Sequence, residues 1–163
     1  MMGTRSGDID AGAVSFIMEK EGLDANGISN LLNKKSGVLG IFGESSDMRD
    51  LENAVAAGNP KAVLAEEMYF YRIKKYIGAY AAAMGGCDIL VWTGGVGENQ
   101  WATRRVVCEN MEYMGMKIDV EKNEGMRGEE MVISTPDSKV TIIVVPTDEE
   151  YMIAADTMDI LGK

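Results

Sequence analysis

Asp88-Ile89-Leu90-Val91-Trp92-Thr93-Gly94-Gly95-Val96-Gly97-Glu98-Asn99-Gln100-Trp101 is the stretch on which the fold turns. Ile89 to Trp92 is short, apolar and uninterrupted, the pattern of a strand buried on both faces. Three glycines follow, which allow positive φ and let a backbone come within contact distance of a ligand. Asn99 has the chemistry to cap a following helix. Strand, glycine turn and helix N-terminus is one way a fold makes an anion or nucleotide site from backbone N–H groups. The same pattern also serves as nothing more than a tight turn between a strand and a helix.

Working outward, 163 residues fit one domain able to bury roughly 70% of its unfolded surface. A hydrophobic content of 46% and a charged content of 26% are ordinary for a globular chain. The net charge of −10 argues against nucleic acid and anionic membrane as partners. No apolar run reaches membrane-spanning length, and the N-terminus lacks the charged-then-apolar pattern of a signal peptide. Cys87 and Cys108 have no CxxC spacing and no small disulfide framework around them, so two reduced thiols are expected. These features together predict a soluble, cytoplasmic protein. Histidine is absent, so no imidazole base, nucleophile or metal ligand can come from this chain.

The coarse organisation follows from periodicity and punctuation. Residues 1–10 read as a polar glycine loop, and 14–20 and 28–34 as short helices. The apolar segment 37–43, with glycine at every third position, is expected to be a loop against the core. Ser45-Ser46-Asp47 offers N-cap chemistry for a helix running to Ala57 and closed by Gly58. Asn59-Pro60 opens the longest helix, with Pro60 at the first helical position. Its apolar face is Ala62, Ala65, Tyr69, Ile73, Tyr76, Ile77, Tyr80, Ala81 and Met84, and Gly85-Gly86 ends it. Arg72, Lys74 and Lys75 fall off that face and are expected in solvent.

Beyond the glycine stretch, a helix over about 100–113 is expected, with a short strand at 116–118 and a solvated loop over the charged run 121–130. Met131 to Ile133 reads as a strand, Thr135 to Ser138 as a turn, and Val140 to Val145 as a second buried strand. The last helix runs from Thr147 to Leu161, and Thr147-Asp148-Glu149-Glu150 is a capping-box pattern with acids in its first turn. Strands alternate with helices from Ala62 onward, which predicts an α/β layered fold.

Several ordered segments together resemble the second half of an acetate kinase. They are residues 2–10 (Met-Gly-Thr-Arg-Ser-Gly-Asp-Ile-Asp), 32–37 (Leu-Asn-Lys-Lys-Ser-Gly), 45–50 (Ser-Ser-Asp-Met-Arg-Asp), 71–80 (Tyr-Arg-Ile-Lys-Lys-Tyr-Ile-Gly-Ala-Tyr), 94–99 and 146–150 (Pro-Thr-Asp-Glu-Glu). The likeness is colinear and runs essentially end to end. It implies a partial actin-like ATPase (ribonuclease H-like) domain: α/β, with a mixed sheet flanked by helices. Residues 1–163 would be the C-terminal nucleotide-binding domain, without the N-terminal domain, the opening strands and the family's catalytic histidine. The implied chemistry is phosphoryl transfer between ATP and acetate with Mg²⁺.

Site residues follow from the same resemblance. Arg5, which so near a terminus would by itself be expected solvated and disordered, matches the arginine that stabilises the transferring phosphoryl group, a role suited to a planar guanidinium. Asp47, Met48 and Arg49, otherwise an N-cap and first turn, match the adenosine site, where the family tolerates an apolar residue at the middle position. Gly95, Val96, Gly97, Glu98 and Asn99 match the nucleotide loop. Glu149, which the helix dipole alone would explain, matches a glutamate associated with Mg²⁺. The implied partners are adenine nucleotide (ATP/ADP), acetate, a second copy in a homodimer, and a separately supplied N-terminal fragment. Two other readings stand beside this one: a non-catalytic dimerisation or nucleotide-binding remnant, and a propionate or butyrate kinase of the same family.

Overall fold

The computed structural model describes residues 1–162 and divides the chain into two compact units, Met1–Gly78 and the residues from Ala79 onward. The first holds α1 (Ala11–Glu21), α2 (Ala25–Lys34), α3 (Gly37–Phe42), α4 (Met48–Ala56) and most of α5 (Pro60–Met84). Side-chain oxygens of Asp10, Asp24 and Asp47 accept first-turn N–H bonds from α1, α2 and α4. Asn59 does the same for α5, taking the N–H of Lys61 at 2.9 Å and of Ala62 at 3.3 Å. Among the described residues no helix is long and apolar enough to cross a membrane.

The segment 37–43 is not the expected loop: α3 takes all of it but Gly43, which closes the helix at φ 89°. Val38 and Phe42, four apart, both fall on one face and are buried with Leu51, Ala62 and Ala65. Met1, Ile41, Met48, Ala54, Val55 and Tyr69 pack around that cluster. Burial of each large side chain contributes about 1.5–3 kcal/mol, enough to outweigh the low helix propensity of two glycines. The long helix starts as the sequence predicts, and Ala62, Ala65 and Ala81 of its expected face are buried. Tyr80 and Met84 of that face are exposed, and Phe70, outside it, is buried. Arg72 is half-buried and not solvated, because it pairs with Asp8 at 2.9 Å.

The second unit is built on a three-stranded mixed sheet in the order β1 (Ile89–Trp92), β3 (Thr141–Val144), β2 (Met131–Val132). Strand β1 runs parallel to β3, with Trp92 opposite Val144, and β2 is antiparallel to β3. Trp92, Ile142 and Val144 point to the buried face. On the other face Ile89 is 59% and Val91 50% exposed, so the expected burial of β1 on both sides is not found. Successive side chains of a strand alternate faces, and nothing in the described residues covers this one.

The glycine stretch is itself helical: α6 (Gly94–Asn99) begins at the first glycine, with Thr93 as its N-cap. Asn99 therefore ends a helix instead of capping the next, and its Nδ2 donates back to the Gly95 carbonyl at 3.0 Å. After Gln100, α7 (Trp101–Cys108) stops short of the expected Tyr113, since Asn110 takes φ 58° and a separate 3-10 turn covers Glu112–Met114. The expected strand at 116–118 is reduced to two single bridges, Met116 with Val140 and Ile118 with Ser134. The charged run is not wholly a solvated loop, because it contains α8 (Val120–Asn123), and Asn123 and Met126 are buried. The last helix, α9 (Glu149–Ile160), is capped by Asp148, whose carboxylate accepts the Tyr151 N–H at 2.9 Å. Thr147, the expected cap, is occupied elsewhere.

Candidate functional site

In the first unit, Arg5 closes a hook of residues 1–6 threaded between α2 and α3. The Met2 N–H donates to the Arg5 carbonyl at 3.1 Å, and Ser6 N–H to Leu32 at 2.9 Å. Ser36, Val38 and Leu39 N–H groups donate to Thr4, Met2 and Gly3 at 3.0, 2.9 and 2.9 Å. Gly37 sits inside the hook at φ 64°, and a Cβ there would lie 2.2 Å from the Met2 carbonyl oxygen and 2.7 Å from that of Arg5. Only glycine permits this approach. Arg5 is exposed, as expected of a residue so near the terminus, yet its backbone is part of a hydrogen-bonded turn and not a loose end.

The Gly3 turn lies against Ser46, where an added Cβ would meet the carbonyl oxygen at 3.3 Å. This brings the Arg5 hook beside the start of α4. There Asp47 and Arg49 form a paired fork: Nη2 meets Oδ2 at 2.7 Å and Nε meets Oδ1 at 3.2 Å. The Arg49 N–H also donates to Oδ1 at 2.8 Å. The Arg49 side chain and then its backbone N–H hold the Asp47 carboxyl down to about 2, and Asp47 in turn raises the Arg49 guanidinium. Met48 is half-buried and packs on the core, so only part of its side chain faces outward.

Asp8 gathers a second polar group in this unit. It accepts from Arg72 at 2.9 Å and, in a shorter bond, from the Tyr76 hydroxyl, while the Arg72 guanidinium lies 5.5 Å from the Tyr76 ring centre. The Tyr76 bond, ahead of the Arg72 charge, lowers the Asp8 carboxyl.

In the second unit, α6 follows β1 directly. A Cβ on Gly95 would meet nothing within 4 Å, whereas one on Gly97 would meet the Trp92 carbonyl carbon at 3.0 Å. Gly95 is thus open to an approaching molecule, and Gly97 is required by packing on the strand. The Glu98 carboxylate accepts the Gly94 N–H at 2.8 Å and both the N–H and hydroxyl of Thr147 at 2.9 Å. Glu149 is exposed at the first position of α9. Among the described residues no three His, Cys, Asp or Glu side chains gather to hold a metal. One carboxylate still fits Mg²⁺, which takes few protein ligands and completes its shell with water and phosphate oxygens.

Three residues escaped the sequence reading. The pattern puts Gly37 in a loop and Thr147 at a cap; Arg104 is one of two adjacent arginines in an expected helix, with nothing in the pattern to tell it from Arg105. Arg104 is fully buried and spans Gly97, Glu98, Asn123 and Met126.

A small mixed sheet flanked by helices, with a glycine-rich helix at the end of β1, defines an α/β protein. The chain belongs to the acetokinase family, whose model matches residues 1–155. It is 80% identical over its whole length to an acetate kinase of Parabacteroides distasonis, of which it covers 41%. The crystal structure of Porphyromonas gingivalis acetate kinase superposes with a TM-score of 0.94 at 69% identity, over 99% of this chain and 40% of that one. A propionate kinase from Francisella tularensis gives 0.84 at 38% identity, over 94% of this chain and 38% of that one. The chain therefore spans about two-fifths of the length of the relatives it matches.

Proposed function

We propose that this chain is the C-terminal, nucleotide-binding part of an acetate kinase, which moves the γ-phosphoryl group of ATP to an acetate oxygen and leaves ADP. The mixed sheet fits part of an actin-like ATPase domain. Asp47, Met48 and Arg49 receive the adenosine. The backbone of Gly95–Asn99 approaches the phosphates, and Arg5 brings a guanidinium to the transferring group, where charge spreads over the equatorial oxygens. Glu149 would hold Mg²⁺, which neutralises phosphate charge when bound. The protein acts in the cytoplasm, paired with a second copy.

The open approach to Gly95 carries this reading, because it is the one glycine of α6 that has both an ordinary φ and empty space at its Cα. Calorimetry with ADP tests it. Binding in the roughly micromolar to millimolar range is expected, and Gly95→Ala is expected to weaken it without loss of fold. Unchanged affinity in that variant removes the loop from the site.

The chain has no histidine, and that favours a second reading in which it binds nucleotide or a partner without turning over. Alone it is expected to form no acetyl phosphate from ATP and acetate, since this transfer depends on positioning and charge from the whole cleft. A separately supplied N-terminal fragment of an acetate kinase is expected to restore turnover; robust activity of the pure chain excludes the remnant reading.

A further inference from the structure

We infer that Arg104 is the positioning residue of the nucleotide loop, setting the place of α6 through main-chain carbonyls of that helix. This rests on the reading of Gly95–Asn99 as a nucleotide contact. Arg104 is completely buried on α7, and none of its hydrogen-bond partners among the described residues is a carboxylate. Its guanidinium is spent instead on neutral acceptors. Nη1 donates to the Gly97 carbonyl at 2.7 Å and the Glu98 carbonyl at 3.1 Å. Nε donates to Asn123 Oδ1 at 2.8 Å, and Nη2 to the Met126 carbonyl at 2.7 Å. Asn123 is itself fixed by donating Nδ2 to the Trp101 carbonyl at 2.9 Å.

Burying a cation is costly, and an apolar side chain of similar volume generally serves a core better. The geometry identifies what the charge does here. Carbonyls of a last helical turn lack intrahelical donors and carry the negative end of the helix dipole. Arg104 fills two of them from Nη1 alone, while Nε and Nη2 reach Asn123 and the Met126 carbonyl; a lysine ammonium, a single point with three donors, cannot serve these four spread acceptors at once. The Gly128 N–H joins Nη1 on the Glu98 carbonyl at 3.1 Å. Arg104 thus connects three separated stretches, the glycine helix, α8 and the Met126 turn, and it acts on the carbonyls of the glycine helix and not on its N–H groups. Desolvation lowers its pKa, followed by the nearby charge of Arg127; an arginine nonetheless stays charged.

The test is Arg104→Lys in the full 163-residue chain, read by amide hydrogen exchange and by ADP calorimetry. Faster exchange over residues 94–99 is expected, with the β3 amides of 141–144 unchanged, and ADP affinity weaker by about tenfold or more. Guanidinium ion at millimolar concentration is expected to restore part of the affinity of Arg104→Ala, which a purely space-filling role would not allow. If Arg104→Lys leaves exchange at 94–99 as in the wild type, the positioning role is wrong whatever ADP does. If exchange quickens but affinity in the folded variant is unchanged, the loop moves without mattering to nucleotide, and the inference falls. Should β3 also lose protection, the variant has unfolded and Asn123→Ala is read instead, with the same direction expected and an unchanged loop overturning the role. No ADP binding by the wild type defeats the nucleotide reading and this inference with it, whereas unchanged exchange defeats the Arg104 assignment alone.

Discussion

Thr147 is tied twice to a single oxygen of Glu98: its N–H and its hydroxyl each donate at 2.9 Å to Oε1, which also takes the Gly94 N–H. One carboxylate thus joins the first turn of α6 to the residue just ahead of the Asp148 cap of α9. Charge-assisted bonds of this kind are stronger than neutral ones. The side chain of Glu98 is engaged inside the fold, so in the proposed site it is the backbone of the glycine stretch that is offered to a nucleotide. Thr147 gives up the capping role that its sequence pattern advertises, and Asp148 takes it.

The bonds from the Thr147 N–H, the Thr147 hydroxyl and the Gly94 N–H hold the Glu98 carboxyl below its usual value of 4.5. A group whose pKa is depressed by folding stabilises the fold fully above its unfolded value and loses that contribution as pH falls through the folded one. The tie is therefore complete at neutral pH and fades below about pH 4.5. Glu98→Gln should flatten part of the acid limb of stability and speed exchange of the Thr147 amide at pH 7. Superimposable acid limbs in the two proteins would refute the tie.

Glycines divide into those the backbone requires and those it leaves open, and substitution separates them. Gly37→Ala puts a Cβ 2.2 Å from one carbonyl oxygen at a positive φ, and is expected to cost about 2–4 kcal/mol and to release the Arg5 hook. Gly97→Ala meets the Trp92 backbone at 3.0 Å and should cost about 1–2 kcal/mol. Lost nucleotide affinity in a Gly97 variant would therefore report packing. Urea denaturation of the two variants orders them; a Gly37→Ala protein as stable as the wild type contradicts the hook.

What could be read from the sequence was local. Asp47 and Asn59 cap their helices because a side-chain oxygen finds N–H groups two or three residues away, and that spacing is visible in the chain. The strand at Ile89 was equally plain. Its exposed face was not, since apolar runs do not say which neighbour covers them. Val38 and Phe42 are helical through burial against Leu51, a contact between separate elements that residues 37–43 alone cannot disclose. Arg104 escaped for the same reason: its acceptors lie on α6, on α8 and beyond, and only folding assembles them. The site residues are implied by resemblance, and what local reading lacks is where the Arg5 turn is seated and that Gly95 is open while Gly97 is packed on Trp92.

Asp47 offers a cleaner electrostatic test because two roles share one carboxylate. It caps α4 through the Arg49 N–H and pairs with the Arg49 side chain. Folding lowers its pKa from 3.8 to about 2, so its contribution is whole above pH 3.8 and is lost as pH falls toward 2. Asp47→Asn keeps a capping oxygen while removing the charge. Helix content should be retained, the stability change between pH 4 and 2 reduced, and ADP affinity lowered about threefold to tenfold if the paired fork meets the nucleotide. Circular dichroism and calorimetry on the same sample check both parts, and unaltered affinity takes Asp47 out of the site.

Self-association is the remaining expectation, and α5 supplies the surface for it. Leu64, Met68 and Tyr71 are 50%, 39% and 63% exposed and lie four and three residues apart, a stripe along one side of the helix. Of the tyrosines of α5, Tyr69 is half-buried by the core and Tyr76 is bound to Asp8, so a monomer accounts for those two. It does not account for Tyr71, an amphipathic ring suited to an interface and covered on one side only by Lys75 at 5.4 Å. The bare face of β1, with Ile89 and Val91, adds apolar surface and a strand edge that soluble proteins normally cover. A homodimer is expected in solution, and Met68→Lys should weaken it by about tenfold or more, since a charge at the middle of an apolar stripe must be dehydrated to pair. Light scattering at low micromolar concentration decides: a mass near the 17.7 kDa of one chain for the unaltered protein overturns the dimer.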